Sequence, residues 1–166
     1  MMSSNISDQM NEIVEGLWLG SLEAAEDERA LKAEGITHMV SCGVFPVTVG
    51  KGIIQLRLEK LSDKSTTEIT HHFLKVVEFI KTALAEDGKV LVHCKAGMSR
   101  SASQIIAYLM TEKEMSFVEA FTHCKKKRQS VCPNDGFADQ LRQFEKDLKA
   151  KKNNGGTTNL EQLKET

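Results

Sequence analysis

The chain is expected to fold as a single α/β domain around a central, mostly parallel mixed sheet of about five strands, with helices on both faces. Three observations predict this. Short apolar runs alternate with longer stretches of helical periodicity, the order that places strands between covering helices. One run, Val90-Leu91-Val92-His93, is continuous rather than alternating, as in a strand buried on both sides. Finally, 166 residues with 40% hydrophobic and 27% charged side chains suit one soluble domain with its own core.

The elements follow in order. Residues 1–10 are polar and read as a flexible segment. Ile13-Val14 and Leu17-Trp18-Leu19 read as short strands separated by a Glu15-Gly16 turn. A helix from Ala24 to Ala33 is expected to end near Gly35, and His38–Cys42 follows as a strand. Ile53–Leu58 is a further strand. Ile69, Phe73, Val76, Val77, Ile80 and Leu84 recur at helical spacing and predict a long amphipathic helix. Beyond the apolar strand come a loop, an apolar helix over Ala102–Met110, and helices over Ser116–Gln129 and Asp135–Leu148. Residues 149–166 are polar, contain Gly155-Gly156, and read as a disordered tail. The domain proper is therefore expected to span residues 11–148.

Composition excludes several functions. No run approaches the roughly eighteen apolar residues of a spanning helix, and the start carries no basic-then-apolar leader. Met2 stands where myristoylation requires glycine. A net charge of −1 gives no general attraction to nucleic acid or acidic membranes, so neither is expected as a partner. Four cysteines without paired spacing suggest reduced thiols, hence a cytoplasmic or nuclear protein. His71 and His72 are adjacent rather than four apart, so no metal site is expected, nor any cofactor.

The chemistry is concentrated in His93-Cys94-Lys95-Ala96-Gly97-Met98-Ser99-Arg100-Ser101, between the apolar strand and a helix. A loop in this position turns successive N–H groups inward, and the helix N-terminus adds partial positive charge. Gly97 permits a backbone angle or close approach that a side chain would obstruct. Arg100 can fork onto two phosphate oxygens and keeps its charge. Lys95, Ala96, Gly97, Met98, Ser99 and Arg100 thus form the expected phosphate cradle. The donors that hold a phosphate also stabilise a thiolate, which makes Cys94 the expected nucleophile. Ser101 is placed to hydrogen-bond the sulfur and ease its departure. Cys and Arg six apart are weak evidence. The preceding histidine, the glycine and the hydroxyl after the arginine make the pattern specific.

His93-Cys94, five residues, then Arg100-Ser101 resembles the signature of the protein tyrosine phosphatase superfamily, and the wider pattern narrows the resemblance to dual-specificity phosphatases. Gly16-Leu17-Trp18-Leu19-Gly20-Ser21 resembles their opening segment, with Trp18 where tyrosine is usual. Gly35-Ile36-Thr37-His38, Ala107-Tyr108-Leu109-Met110 and Pro133-Asn134-Asp135-Gly136-Phe137 with Gln140-Leu141 and Phe144-Glu145 continue it. The resemblance covers residues 11–148 and, without an amino-terminal kinase-docking domain, is closest to the small, atypical members. It implies dephosphorylation of protein phosphotyrosine, phosphoserine and phosphothreonine through a phosphocysteine, by a monomer acting on phosphoproteins and with kinase-pathway proteins.

A serine or threonine leaving group needs a proton donor. On residues alone several acids qualify, and an exposed or capping role suits any of them. Asp63, thirty-one residues before Cys94, matches the family's acid loop. Glu59 lies by the preceding strand, and Asp135 at a helix start where capping accounts for it. The resemblance also gives His93 a loop-positioning role and Asn134 a bracing one. Met98 is expected on the pocket wall and Cys124 in the core. Lys125-Lys126-Lys127-Arg128 reads as a solvated run favourable to the helix dipole, with a docking patch as the lesser reading.

The family's parallel neighbours His38–Cys42 and Val90–His93 would bring Cys42 close enough to Cys94 for a redox disulfide; the plainer reading of Cys42 is a small buried apolar residue. The span from Phe45 to Lys60 is short and lacks a tyrosine wall, which implies a shallow pocket and dual specificity. The alternatives are a phosphoinositide phosphatase, since Cys94-Lys95-Ala96-Gly97 resembles the start of that loop although Met98 replaces its second lysine, and a phosphoprotein-binding pseudophosphatase, which typically loses the Cys or the Arg.

Overall fold

The computed structural model describes residues 9–45, 50 and 52–155. Five strands, β1 (Met10–Val14), β2 (Leu17–Gly20), β3 (His38–Cys42), β4 (Ile54–Leu58) and β5 (Val90–His93), form one sheet in the order β1-β2-β5-β3-β4. β1 runs antiparallel to β2 and the other pairings are parallel, as the alternation of strands and helices predicts. The helices are α1 (Leu22–Glu26), α2 (Glu28–Glu34), α3 (Thr70–Ala85), α4 (Arg100–Glu112), α5 (Phe117–Lys127) and α6 (Asp135–Gly155).

β5 sits centrally and all four of its residues are buried. The period of two along a strand divides them between two cores. Val90 and Val92 join Val40 and Cys42 beneath α3, α4, α5 and α6, whereas Leu91 joins Met39 beneath α1 and α2. Gly20, His93 and Ser41 lie abreast in the register, so β2, β5 and β3 end nearly level. The loop after His93 therefore leaves the carboxyl edge of a sheet covered on both sides, where such folds bind ligands.

Beyond shifts of one or two residues at element ends, three features differ from the sequence reading. The helix expected over Ala24–Ala33 is two helices, because the Asp27 carboxylate accepts from Arg29 N at 3.1 Å and Ala30 N at 3.0 Å and starts a second one. Met10, expected in a flexible segment, pairs with Gly20 in β1 and is 2% exposed. Residues 149–155, expected in a tail, instead continue α6, which runs on to Gly155. Alanine and lysines favour that extension, with Lys149 bridging to Glu145 at 3.3 Å and Lys152 bridging to Glu114 across to the end of α4. Residues 1–8 and 156–166, and positions 46–49 and 51 of the Phe45–Lys60 span, lie outside the described residues. Among the described residues no helix is long and apolar enough to cross a membrane.

Candidate active site

The loop after β5 is shaped by where its carbonyl groups go. Lys95 O accepts from Leu22 N at 3.0 Å and Met98 O from Cys132 N at 2.8 Å. Ala96 O and Gly97 O accept from the Arg128 guanidinium, each at 3.0 Å. Cys94 O accepts from the His93 ring at 3.1 Å. With these five carbonyls satisfied elsewhere, the N–H groups of Gly97, Met98 and Ser101 turn in toward the Cys94 sulfur, an arrangement that suits an anion. Gly97 has φ +67°, and a Cβ there would lie 2.6 Å from Gly20 O, so glycine is required on both counts.

Cys94 is 3% exposed at the floor of the cradle. Its Sγ lies 3.0 Å from Ser101 Oγ and accepts from Gly97 N at 3.2 Å. Burial alone would push the thiol up. The Ser101 hydroxyl and the N–H groups of Ser101, Gly97 and Met98 together outweigh it, and the net direction is down. The inward donors thus stabilise a thiolate at Cys94, as they would any anion seated there.

His93 is wholly buried, and burial drives its pKa down to about 4, so the ring is neutral. A carbonyl can only accept, which places the proton on Nδ1 facing Cys94 O. Nε2 must then accept from the Ser41 hydroxyl at 2.7 Å. Ser41 Oγ in turn accepts from Gln55 Nε2 at 2.8 Å, and Gln55 Oε1 accepts from Arg57 Nε at 3.1 Å. A relay of one direction thus runs across β4, β3 and β5 and fixes the tautomer that holds the Cys94 carbonyl.

Arg100 opens α4. Its Nη1 donates to Leu61 O at 3.3 Å, and its Nε is buried with no partner among the described residues. Asp63 is exposed on the segment that follows Leu61. Its Oδ1 accepts from Asn134 Nδ2 at 2.9 Å, and the Asn134 N–H donates to Ser99 Oγ at 2.9 Å. Asn134 Oδ1 caps α6 by accepting from Phe137 N at 2.9 Å, so Asn134 and not Asp135 is the capping residue. Gln140 fixes the far end of the segment that carries Asp63, donating to Thr67 O at 2.9 Å and accepting from Ile69 N at 2.8 Å.

The structure thus gathers Cys94, Ser101, Arg100, His93 and the residues from Lys95 to Ser99 at one sheet edge, with Asp63 tied to them through Asn134. Met98 stands 40% exposed at the loop's crown. Cys42 is buried in the same cluster as Cys94. Burial first and the nearby Cys94 second hold its thiol well above the usual range. Cys124 is core, and its burial pushes it to about 12.

One reading is corrected. Arg128 is not on a solvated face; it is 7% exposed and braces the cradle, while Lys125 Nζ donates to Gln129 O at 3.1 Å and Val131 O at 2.9 Å. Sequence reasoning also missed Ser41 and Gln55, and quoted Gln140 only as part of the family pattern. Gln140 and Arg128 carried a weak signal, each lying a few residues from Pro133-Asn134.

Fold and site together define a phosphatase domain built on a Cys-x5-Arg loop. More narrowly, residues 17–147 match the family model "Dual specificity phosphatase, catalytic domain", and the chain belongs to that family, among its small, atypical members. It is 36% identical over 139 residues to dual specificity protein phosphatase 1B of Arabidopsis thaliana, covering 84% of this chain and 83% of that protein. It is also 36% identical over 148 residues to dual specificity protein phosphatase 19 of Mus musculus, covering 89% of this chain and 66% of that one. The crystal structure of human DUSP28 superposes with a TM-score of 0.80 at 31% identity, over 84% of this chain and 95% of that one.

Proposed function

We propose that the protein hydrolyses phosphotyrosine and phosphoserine or phosphothreonine in proteins through a phosphocysteine intermediate. The observation that carries this reading is the Cys94 sulfur, 3.0 Å from the Ser101 hydroxyl and 3.2 Å from Gly97 N at the mouth of α4. The sulfur attacks phosphorus in line with the ester oxygen. The inward N–H groups and Arg100 hold the non-bridging oxygens as charge builds on them. Asp63 gives its proton to the departing oxygen, and the S–P bond replaces the O–P bond. In the second step Asp63 takes a proton from water, the hydroxide oxygen attacks phosphorus, and the Ser101 hydroxyl donates to the leaving sulfur. Inorganic phosphate is released and the thiolate is restored.

The test is a turnover comparison on phosphotyrosyl, phosphothreonyl and phosphoinositide substrates, with Cys94→Ser as control. Turnover of both peptides, lost in the variant while phosphate binding persists, supports the reading. Retention of more than about one per cent activity in Cys94→Ser overturns the nucleophile. Turnover of the lipid alone overturns the substrate class, and oxyanion binding without turnover points to a binding module instead.

A further inference from the structure

The arginine that faces the phosphate rests on a residue outside both the loop and the acid segment. The guanidinium carbon of Arg100 lies 5.3 Å from the centroid of the Phe45 ring, within reach of an attraction between cation and ring face. The same ring is 5.6 Å from the His93 imidazole, so it adjoins residues on both sides of the nucleophile. The turn that brings it there is closely fitted. Gly43 follows β3 with φ +136°, and a Cβ at that position would stand 2.5 Å from Arg100 Nη1 and 2.9 Å from Phe45 Cε2. Any other residue at Gly43 would therefore push into the guanidinium and the ring together. The hydrogen bond from Nη1 to Leu61 O, at 3.3 Å, is longer than the usual range and holds the group weakly.

We infer that Phe45 is a positioning residue, its aromatic face a shelf that presets the Arg100 guanidinium for a phosphate oxyanion. The inference rests on the phosphatase reading above and adds a residue to it. Arginine carries large rotamer entropy, which an unsupported side chain loses when it closes on the anion. A shelf that orders it beforehand moves this cost out of binding. The electron-rich face does more than fill space, so an aliphatic side chain of similar bulk should not replace it.

The test compares the wild type with Phe45→Leu and Phe45→Tyr. The readouts are the inhibition or binding constant of inorganic phosphate, kcat and KM on an aryl phosphate, and the melting temperature. Phe45→Leu is expected to weaken phosphate binding and raise KM by about 3- to 30-fold, the range of a part-buried cation–ring contact, with kcat changed less. Phe45→Tyr is expected to stay within about twofold of wild type. Equal phosphate affinity in wild type and Phe45→Leu overturns the shelf, as does equal loss in the Leu and Tyr variants, which would mark a packing role. Because affinity is read without turnover, a wild type that binds phosphate but is inactive sinks the catalytic reading and leaves this comparison decisive. A wild type without phosphate affinity overturns both.

Discussion

Asn134 donates from Nδ2 to Asp63 Oδ1 and from its main chain to Ser99 Oγ, each across 2.9 Å, so one residue joins the Asp63 segment to the loop after β5. Its Oδ1 is meanwhile engaged in capping α6. The acid's placement and the helix's start are therefore coupled.

Asp63→Asn should slow phosphoserine and phosphothreonine hydrolysis by about 10²–10⁴-fold, and hydrolysis of an aryl phosphate with a good leaving group much less. Asn134→Ala should reproduce that substrate ranking at smaller size, and the lost cap should cost about 1 kcal/mol of stability. Steady-state kinetics on both substrates and a denaturation curve check this. Equal losses on the two substrates would mark Asp63 as structural.

Ser101→Ala removes the hydroxyl that does most to hold the Cys94 thiol down. With the thiolate as the proposed reactive form, a lowered thiol should keep turnover active as pH falls, and raising it should move the ascending acid limb of kcat/KM to higher pH. The leaving sulfur also loses a donor, so the second step slows and a burst of product precedes a slow steady state. An unmoved limb in a pH–rate profile would separate Ser101 from the thiol.

Arg128→Met strands two carbonyls, the buried Gly97 O and the partly buried Ala96 O. At about 1–3 kcal/mol for the buried Gly97 O, and less for Ala96 O, which water can reach, the loss should be plain in urea unfolding, and phosphate affinity should fall with it. Lys126→Met and Lys127→Met, on exposed positions of the same run, should stay within about 0.5 kcal/mol. Similar stabilities in all three variants would return Arg128 to the solvated face.

Mild peroxide is expected to inactivate the enzyme reversibly. Ser41 and His93 are paired across β3 and β5, and the residue after each is a cysteine. Peroxide oxidises the Cys94 thiolate to a sulfenic acid; the Cys42 thiol then displaces its oxygen as water, forming the disulfide. The negative charge on Cys94, one cause of the high Cys42 value, disappears in the first step while Arg100 still lowers it. Dithiothreitol should restore activity in wild type but not in Cys42→Ala. Peptide mapping that finds Cys94 joined to Cys124 or Cys132, or only over-oxidised Cys94, would contradict the pairing.

What the sequence disclosed was local. The wholly apolar β5 and the loop His93–Ser101 are legible because adjacent residues determine them. The split at Asp27 is not, since a polar residue mid-helix looks the same whether it faces water or caps a new turn. The last turns of α6 depend partly on Lys152 meeting Glu114, far away in sequence. Arg128 bonds to Gly97, and Phe45 lies against Arg100, each pair far apart in sequence. No periodicity records such contacts. Arg128 is the clearest case: three lysines precede it, and only its place beyond the helix end turns it inward.

Helix α6 meets the acid segment twice, through Asn134 at Asp63 and through Gln140 at Thr67 and Ile69. A stretch pinned at both ends to one rigid rod has little slack to swing. Substrates would enter a standing aperture rather than draw a flap shut, and would be chosen by fit to it. Turnover should then be indifferent to solvent viscosity, because no gate has to travel before the phosphoryl group moves.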